Sequence, residues 1–135
     1  MVTEAMPANV VTVRRFYDLV LSGDLDSASG LLDERIVVHE PPGLPYGGEF
    51  HGVSGWREIT ERENALMATE LLTPIEFSDV DGETVLMKVK VRFTSRRTGR
   101  STDTAVVELL KVSGGRLTEF DVYYKDPGAV ASLES

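Results

Sequence analysis

The sequence of 135 residues contains no cysteine. This absence excludes disulfide bonds, thiolate nucleophiles and cysteine-ligated zinc together. Histidine is also scarce, with two residues, His39 and His51. Their surroundings show neither an HxH nor an HExxH spacing, so we expect no metal site.

Positive charge and long apolar runs are also lacking. The chain has 14 Lys and Arg against 22 Asp and Glu, a net charge of −8. Such an acidic chain repels phosphate groups, so we expect no nucleic-acid partner and no binding to an anionic membrane. The first ten residues carry no positive charge and begin no long apolar run. We therefore expect no signal peptide, no transmembrane span and a cytoplasmic location.

Hydrophobic residues make up 41% of the chain, which is enough for a folded core. The length of 135 residues is typical of one domain. No repeat or linker divides it, which predicts a single domain over residues 1–135. Helical spacing of apolar residues predicts three helices, over residues 8–22, 24–32 and 53–70.

Strand patterns fill much of the remainder. A β-branched run at residues 36–40 ends at Pro41 and predicts a short strand, and a structured loop is expected at 41–52. Later strands are predicted at residues 72–79, 85–94, 102–113 and 116–124, followed by a loose tail or short helix at 126–135. These elements predict an α+β fold in which a curved antiparallel sheet folds around three N-terminal helices and leaves a cone open at one end. A small antiparallel sandwich is the weaker alternative.

Two short motifs and the sheet after them resemble a known family. The motifs are Gly23-Asp24-Leu25-Asp26 and Val37-Val38-His39-Glu40-Pro41. They are similar to those of the ketosteroid isomerase and SnoaL-type polyketide cyclase group, over about Val10 to Tyr124. The resemblance implies the cone-shaped nuclear-transport-factor-2-like fold, a homodimer and no cofactor. The group includes isomerases, cyclases, dehydratases, epoxide hydrolases and proteins without enzyme activity, so the fold leaves the function open.

The resemblance also implies roles for particular residues. It places the general base of the isomerases at Glu40 and their second catalytic acid near Glu108. Their oxyanion-hole tyrosine falls on Phe16, which has no hydroxyl. Tyr17 follows it, but a rotation of about 100° around the helix predicts that Tyr17 points elsewhere. The epoxide hydrolases of the group have an arginine between two aspartates in the site. No arginine of this sequence matches it, because Arg92 is expected on the solvent-facing side of its strand.

Strand alternation places the two glutamates independently. Glu40 shares a strand face with apolar Ile36 and Val38, and Glu108 shares one with Val106 and Leu110. A carboxyl on an apolar face has a raised pKa and can act as a general acid or base near neutral pH.

Less specific interpretations remain open for both glutamates and for His39. Glu40 could be solvated or could cap a loop amide. On the strand of Glu108, the inward residues could instead be Val107 and Leu109, and Glu108 would then face outward. His39 faces away from Glu40 by alternation, yet a twisted strand end would let it serve as a proton shuttle. It is the third candidate catalytic residue.

Eight aromatic residues are candidates for substrate binding, although inward aromatics more often belong to the core. They are Phe16, Tyr17, Tyr46, Phe50, Trp56, Phe93, Phe120 and Tyr124. Tyr46 and Phe50 lie in the Gly- and Pro-rich loop, which is expected to form a lid over the cone.

The outward face of the sheet is expected to be mainly a solvated surface. Six basic residues concentrate in one hairpin, and we favour ordinary pairing with neighbouring acids over an anion-binding patch. They are Lys88, Lys90, Arg92, Arg96, Arg97 and Arg100. Apolar residues on the same face are candidates for a dimer contact, namely Leu86, Ala105, Val107 and Leu109.

These observations predict a cofactor-free isomerase or cyclase-type enzyme that acts on a small hydrophobic carbonyl compound, such as a polyketide or steroid. Glu40 would abstract a proton next to the carbonyl, and Glu108 or a tyrosine would donate to the developing enolate. A non-catalytic ligand-binding or dimerisation module is the main alternative. An epoxide hydrolase is a weaker one, because it requires an inward arginine.

Overall fold

A computed structural model describes residues 6–135. The expectation about a signal peptide therefore concerns, in part, residues outside this range. In the described chain the helices are α1 (Ala8–Leu21), α2 (Leu25–Ser29), α3 (Gly52–Leu66) and α4 (Pro127–Ala131). The strands are β1 (Leu32–Glu40), β2 (Gly48–His51), β3 (Met67–Leu71), β4 (Glu76–Asp79), β5 (Thr84–Ser95), β6 (Ser101–Ser113) and β7 (Arg116–Tyr124). A short 3-10 turn, Ser132–Glu134, ends the chain.

The first helix forms where the apolar spacing predicts it. The second, predicted to end near Leu32, ends at Ser29, because Leu32 already belongs to β1. One face of α1 is buried through Val10, Val13 and Phe16. Asp24 caps α2, since its side chain accepts a hydrogen bond from the Ser27 amide at 3.1 Å. The two helices pack together and place α1 across the concave side of the sheet.

The strands form one curved sheet in the order β2-β1-β7-β6-β5-β3, with β4 also paired to β5. Together with the helices it confirms the predicted α+β class. One pair departs from the expected antiparallel arrangement, because β1 runs parallel to β7 and the sheet is mixed. A parallel pair requires a long connection, and here the whole middle of the chain separates the two strands.

The third helix and the strand after it differ from the prediction. The helix ends at Leu66, and residues 67–71 form β3 along the edge of β5. The predicted strand over 72–79 is reduced to β4. Met67 is fully buried, which fits a helix or a strand equally well. This segment is a strand because it forms hydrogen bonds with β5. Local periodicity carries no information about such a long-range pairing.

Two further segments are more ordered than their composition indicates. Residues 48–51, within the predicted loop, form β2 and pair with β1. The last ten residues include α4, with Val130 and Leu133 buried in the core. The prediction allowed either a loose tail or a short helix, and the structure contains the short helix.

Strand alternation determines which side chains face inward. Val85, Met87, Val89, Val91 and Phe93 on β5 are all buried, as predicted. No helix within residues 6–135 is long and apolar enough to span a membrane.

Candidate active site

A cavity of ≈ 410 Å³ lies between α1, α3 and the concave face of the sheet. Three carboxyl groups line it, those of Glu40, Glu63 and Glu108, and the residues that line it include no Lys, Arg or His. The remaining wall is mostly apolar and aromatic. Its aromatic members are Phe16, Tyr17, Trp56, Phe93, Phe120 and Tyr124.

Strand register places Glu40 and Glu108 on either side of Val122. Val38 and His39 pair with Phe120 and Asp121 of the parallel strand β7, which puts Glu40 beside Val122. Glu108 pairs with Val122 from the other side. The backbones of the two glutamates are therefore two strand spacings apart, about 10 Å, with both side chains in the cavity.

One oxygen of Glu40 has no hydrogen-bond partner among residues 6–135. This atom, Oε2, is buried and unpaired. Burial, and then the negative charge of Glu63, raise the pKa of Glu40 well above its ordinary value. Such a group holds its proton tightly and is a strong base once it has lost it.

Glu63 enters the cavity from α3, and sequence analysis did not select it. Tyr124 donates a hydrogen bond to Glu63 Oε1 at 3.2 Å, and the hydroxyls of Tyr124 and Tyr46 lie 2.8 Å apart. Burial raises the pKa of Glu63, and the Tyr124 hydrogen bond opposes that rise. A sequence signal was available, because Glu63 follows Trp56 by seven residues and Ile59 by four, on the buried stripe of the helix.

Glu108 forms a second polar centre with Tyr17, whose hydroxyl donates a hydrogen bond to Glu108 Oε2. Burial raises the pKa of Glu108 to about 7. The expectation that Tyr17 points away from the site is wrong. Tyr17 follows Val13 by four residues, so it continues the inward stripe of α1 alongside Phe16.

We expect Tyr17→Phe to raise the pKa of Glu108 above about 7. The variant removes a donor that favours the charged carboxylate while it keeps the aromatic ring in place. Carbon NMR titration of the Glu108 carboxyl measures the shift. Tyr123→Phe is the matched control, because Tyr123 is exposed and its hydroxyl bonds to Asp121. An unchanged or lower Glu108 pKa in Tyr17→Phe would contradict this expectation.

His39 does not reach the cavity. Its Nδ1 lies 3.2 Å from Glu49 Oε1 and its Nε2 lies 3.7 Å from Glu119 Oε1, on the outward face of the sheet. The strand end does not twist enough to turn the ring inward. The structure thus provides no path for His39 to shuttle a proton to Glu40.

The loop between β1 and β2 packs into the core, in contrast to the expected open lid. Tyr46 is fully buried behind Tyr124, and Phe50 is buried beneath Arg62, whose guanidinium carbon lies 5.7 Å from the ring centroid. Neither ring lines the cavity. A Cβ atom on Gly47 would lie 2.0 Å from the Pro41 carbonyl oxygen, so only glycine fits this tight turn.

The other six candidate aromatics surround the cavity in contact with one another. Phe16 packs against Phe120 and Trp56, with ring centroids 5.3 Å and 5.5 Å apart. Phe93 packs against Tyr124 at 5.2 Å. These rings form the apolar surface that a hydrophobic ligand would contact.

The outward face of the sheet has the character of a solvated surface. Arg92 forms two hydrogen bonds to Asp103, at 2.8 Å and 3.1 Å. Leu86, Val107 and Leu109 remain partly exposed there, and the dimer contact stays a prediction. Over residues 6–135, no three His, Asp or Glu side chains are grouped so that they could hold a metal ion.

Solved structures share this fold at low sequence identity. An NTF2-like protein from Burkholderia xenovorans matches with a TM-score of 0.89 and 21% identity, over 98% of this chain and 100% of that chain. TerC, crystallised with polyporic acid, matches at 0.80 and 19%, over 95% and 99%. A protein from Xanthomonas campestris, provisionally assigned as a polyketide cyclase, matches at 0.77 and 19%, over 93% and 96%. At these identities the likeness shows the fold alone.

Sequence comparisons give the family. No curated protein matches the chain in sequence. The family model described as the SnoaL-like domain matches residues 13–120, a span that includes Glu40, Glu63 and Glu108. This match covers most of the chain and agrees with the cone-shaped fold. The chain belongs to the SnoaL-like domain family.

Proposed function

We propose that this protein catalyses proton transfer on a small hydrophobic carbonyl compound, as in an isomerisation or an aldol-type cyclisation. The observation that carries the proposal is the buried, unpaired Oε2 of Glu40 beside an apolar cavity. An unpaired buried carboxyl destabilises a fold, so its presence calls for a role beyond packing. Perturbed carboxyls in clefts often serve as catalytic acids or bases.

Glu40, as the carboxylate, would accept the proton from the carbon next to the carbonyl. The C–H electron pair would move to the carbonyl oxygen and form an enolate. In an isomerisation, Glu40 would then return the proton to another carbon. In a cyclisation, the enolate carbon would attack a second carbonyl, and the alkoxide oxygen formed there would take the proton back from Glu40. Either sequence leaves the total number of protons unchanged.

Glu108 and Tyr17 would stabilise the enolate oxygen. A pKa of about 7 lets Glu108 hold a proton near neutral pH. Tyr17 donates its one proton to ionised Glu108, whereas a protonated Glu108 would donate to the Tyr17 oxygen and leave the Tyr17 proton for the enolate oxygen. Their placement opposite Glu40, about 10 Å away at the backbone, leaves room for a flat ligand between the two centres.

The size and lining of the cavity support this substrate class. Its volume of ≈ 410 Å³ falls within the range of small-molecule sites, and aromatic rings form much of the wall. The co-crystallisation of TerC with polyporic acid and the provisional cyclase assignment of the Xanthomonas protein support a cyclic, polyketide-like compound.

Deuterium exchange tests the proposal without knowledge of the natural substrate. The protein would be incubated in D₂O with enolisable ketones, for example 1-tetralone, 2-tetralone, cyclohex-3-enone and anthrone, and loss of the α-proton signal followed by NMR. We expect faster exchange than in buffer for at least one compound that binds.

Binding measured by thermal shift separates the two main hypotheses. Ketones that raise the melting temperature without any accelerated exchange would overturn the enzymatic proposal. They would favour the ligand-binding module, which the open cavity also suits.

A further inference from the structure

The hydrogen bonds around Glu63 have a defined direction. A tyrosine hydroxyl has one proton, and Tyr124 donates its proton to Glu63 Oε1. Tyr46 must therefore be the donor in the 2.8 Å contact between the two tyrosine hydroxyls. The chain runs from Tyr46 through Tyr124 and ends at Glu63, so each donor polarises the next bond toward the carboxyl.

Glu40 lies in the opposite situation within the same cavity. Its buried Oε2 receives no donor from residues 6–135, so no hydrogen bond stabilises a negative charge on that oxygen. Protonation removes that cost for Glu40. A negative charge is better placed on Glu63, where a directed hydroxyl faces it.

We infer that Glu40 is protonated in the resting protein while Glu63 carries the negative charge. In this arrangement Glu63 is a positioning residue that acts through Glu40. The charge on Glu63 opposes a second charge on Glu40, so Glu40 is a stronger base toward the α-proton of the substrate once it has lost its own proton. This catalytic consequence rests on the proposed function.

The groups around the pair support this distribution of charge. Tyr124 from β7 contacts Glu63 and is itself bonded to Tyr46, and Tyr17 from α1 and Glu108 from β6 line the same cavity. The residues that line the cavity include no Lys, Arg or His that could neutralise two carboxylates. The charge of Glu63 raises the pKa of Glu40, as expected for groups that do not ionise together.

Carbon NMR titration of labelled glutamate carboxyls tests the inference without substrate. In the unmodified protein we expect the pair to lose its protons in two steps separated by more than about one pH unit. In Glu63→Gln the Glu40 carboxyl should titrate in a single step, with its midpoint lower by about one unit or more because the neighbouring charge is gone. Glu61→Gln, an exposed position on the same helix, is the matched control and should leave both steps unchanged.

Tyr124→Phe provides a second test that keeps the ring. It removes the donor to Glu63, so the lower step of the pair should move to higher pH. This variant also decides the question if Glu63→Gln does not fold. A Glu40 midpoint that is unchanged in Glu63→Gln, a lower step that is unchanged in Tyr124→Phe, or two carboxyls that titrate as ordinary glutamates would overturn the inference.

Failure of this inference and failure of the proposed function give different results. A two-step titration without ketone exchange would keep the protonated Glu40 and the charged Glu63 and remove the catalytic proposal. Exchange that depends on Glu40 but not on Glu63, together with independent titrations, would keep the enzyme and remove the role of Glu63.

Discussion

Glu40→Gln is expected to reduce α-proton exchange on any ketone that the protein turns over by about 10²–10⁴-fold, the usual contribution of a general base. Glutamine has nearly the same shape but cannot accept the proton from carbon. Because the side chain it replaces has an unpaired buried oxygen, the variant should fold at least as stably as the unmodified protein. The exchange rate, measured by proton NMR, tests the expected loss of activity, and the melting temperature tests the expected stability.

Glu34→Gln is the matched control for Glu40→Gln. Glu34 lies on the same strand, β1, but is exposed, and the substitution removes the same charge. It should leave the exchange rate unchanged. If Glu40→Gln retains full exchange on a ketone that binds, Glu40 is not the base and the proposed mechanism is wrong.

Glu108→Gln is expected to stabilise the protein above neutral pH by up to about 3 kcal/mol. This limit is the free energy that corresponds to a pKa raised from 4.5 to about 7. It is an upper limit because Glu108 is only partly buried. Glutamine keeps a carbonyl oxygen that can accept the hydrogen bond from Tyr17.

The pH dependence has a definite sign. Between pH 4.5 and about 7 the folded protein holds a proton on Glu108 that the unfolded chain has released. The contribution of this group is therefore fully present below pH 4.5 and is lost as the pH rises through about 7. We expect the free energy of unfolding to fall over this range in the unmodified protein and to fall less steeply in Glu108→Gln.

Urea unfolding at pH 5 and pH 8 measures this difference. Glu61→Gln, which removes the same charge from an exposed position, controls for the general repulsion within an acidic chain. A Glu108→Gln variant that follows the control at both pH values would show that Glu108 is solvated in the folded protein.

Strand periodicity located two of the three cavity carboxyls. Glu40 and Glu108 are in phase with apolar neighbours, and both lie inside as expected. The same argument placed Arg92 outside, where it pairs with Asp103. The period of a strand fixes the face of every residue once one face is buried, so this information is local.

Helical phase also carries information about the site. Tyr17 and Glu63 both lie on the inward stripes of their helices, which the 3.6-residue period identifies. The family pattern singles out Phe16, although its neighbour Tyr17 also lines the cavity. Two adjacent residues can both face a cavity, because the inward sector of a helix is at least about 100° wide.

The sequence by itself determined the α+β class, the inward faces of the long strands and the acidic, cysteine-free chemistry of the chain, because periodicity and composition are local properties. Tertiary structure alone decided the parallel pairing of β1 with β7, the strand at 67–71 and the burial of Tyr46. It also decided the hydrogen-bonded chain from Tyr46 through Tyr124 to Glu63, which joins residues 61 and 78 positions apart in sequence. Such contacts depend on how the sheet curves around the helices, and no window of neighbouring residues contains that information.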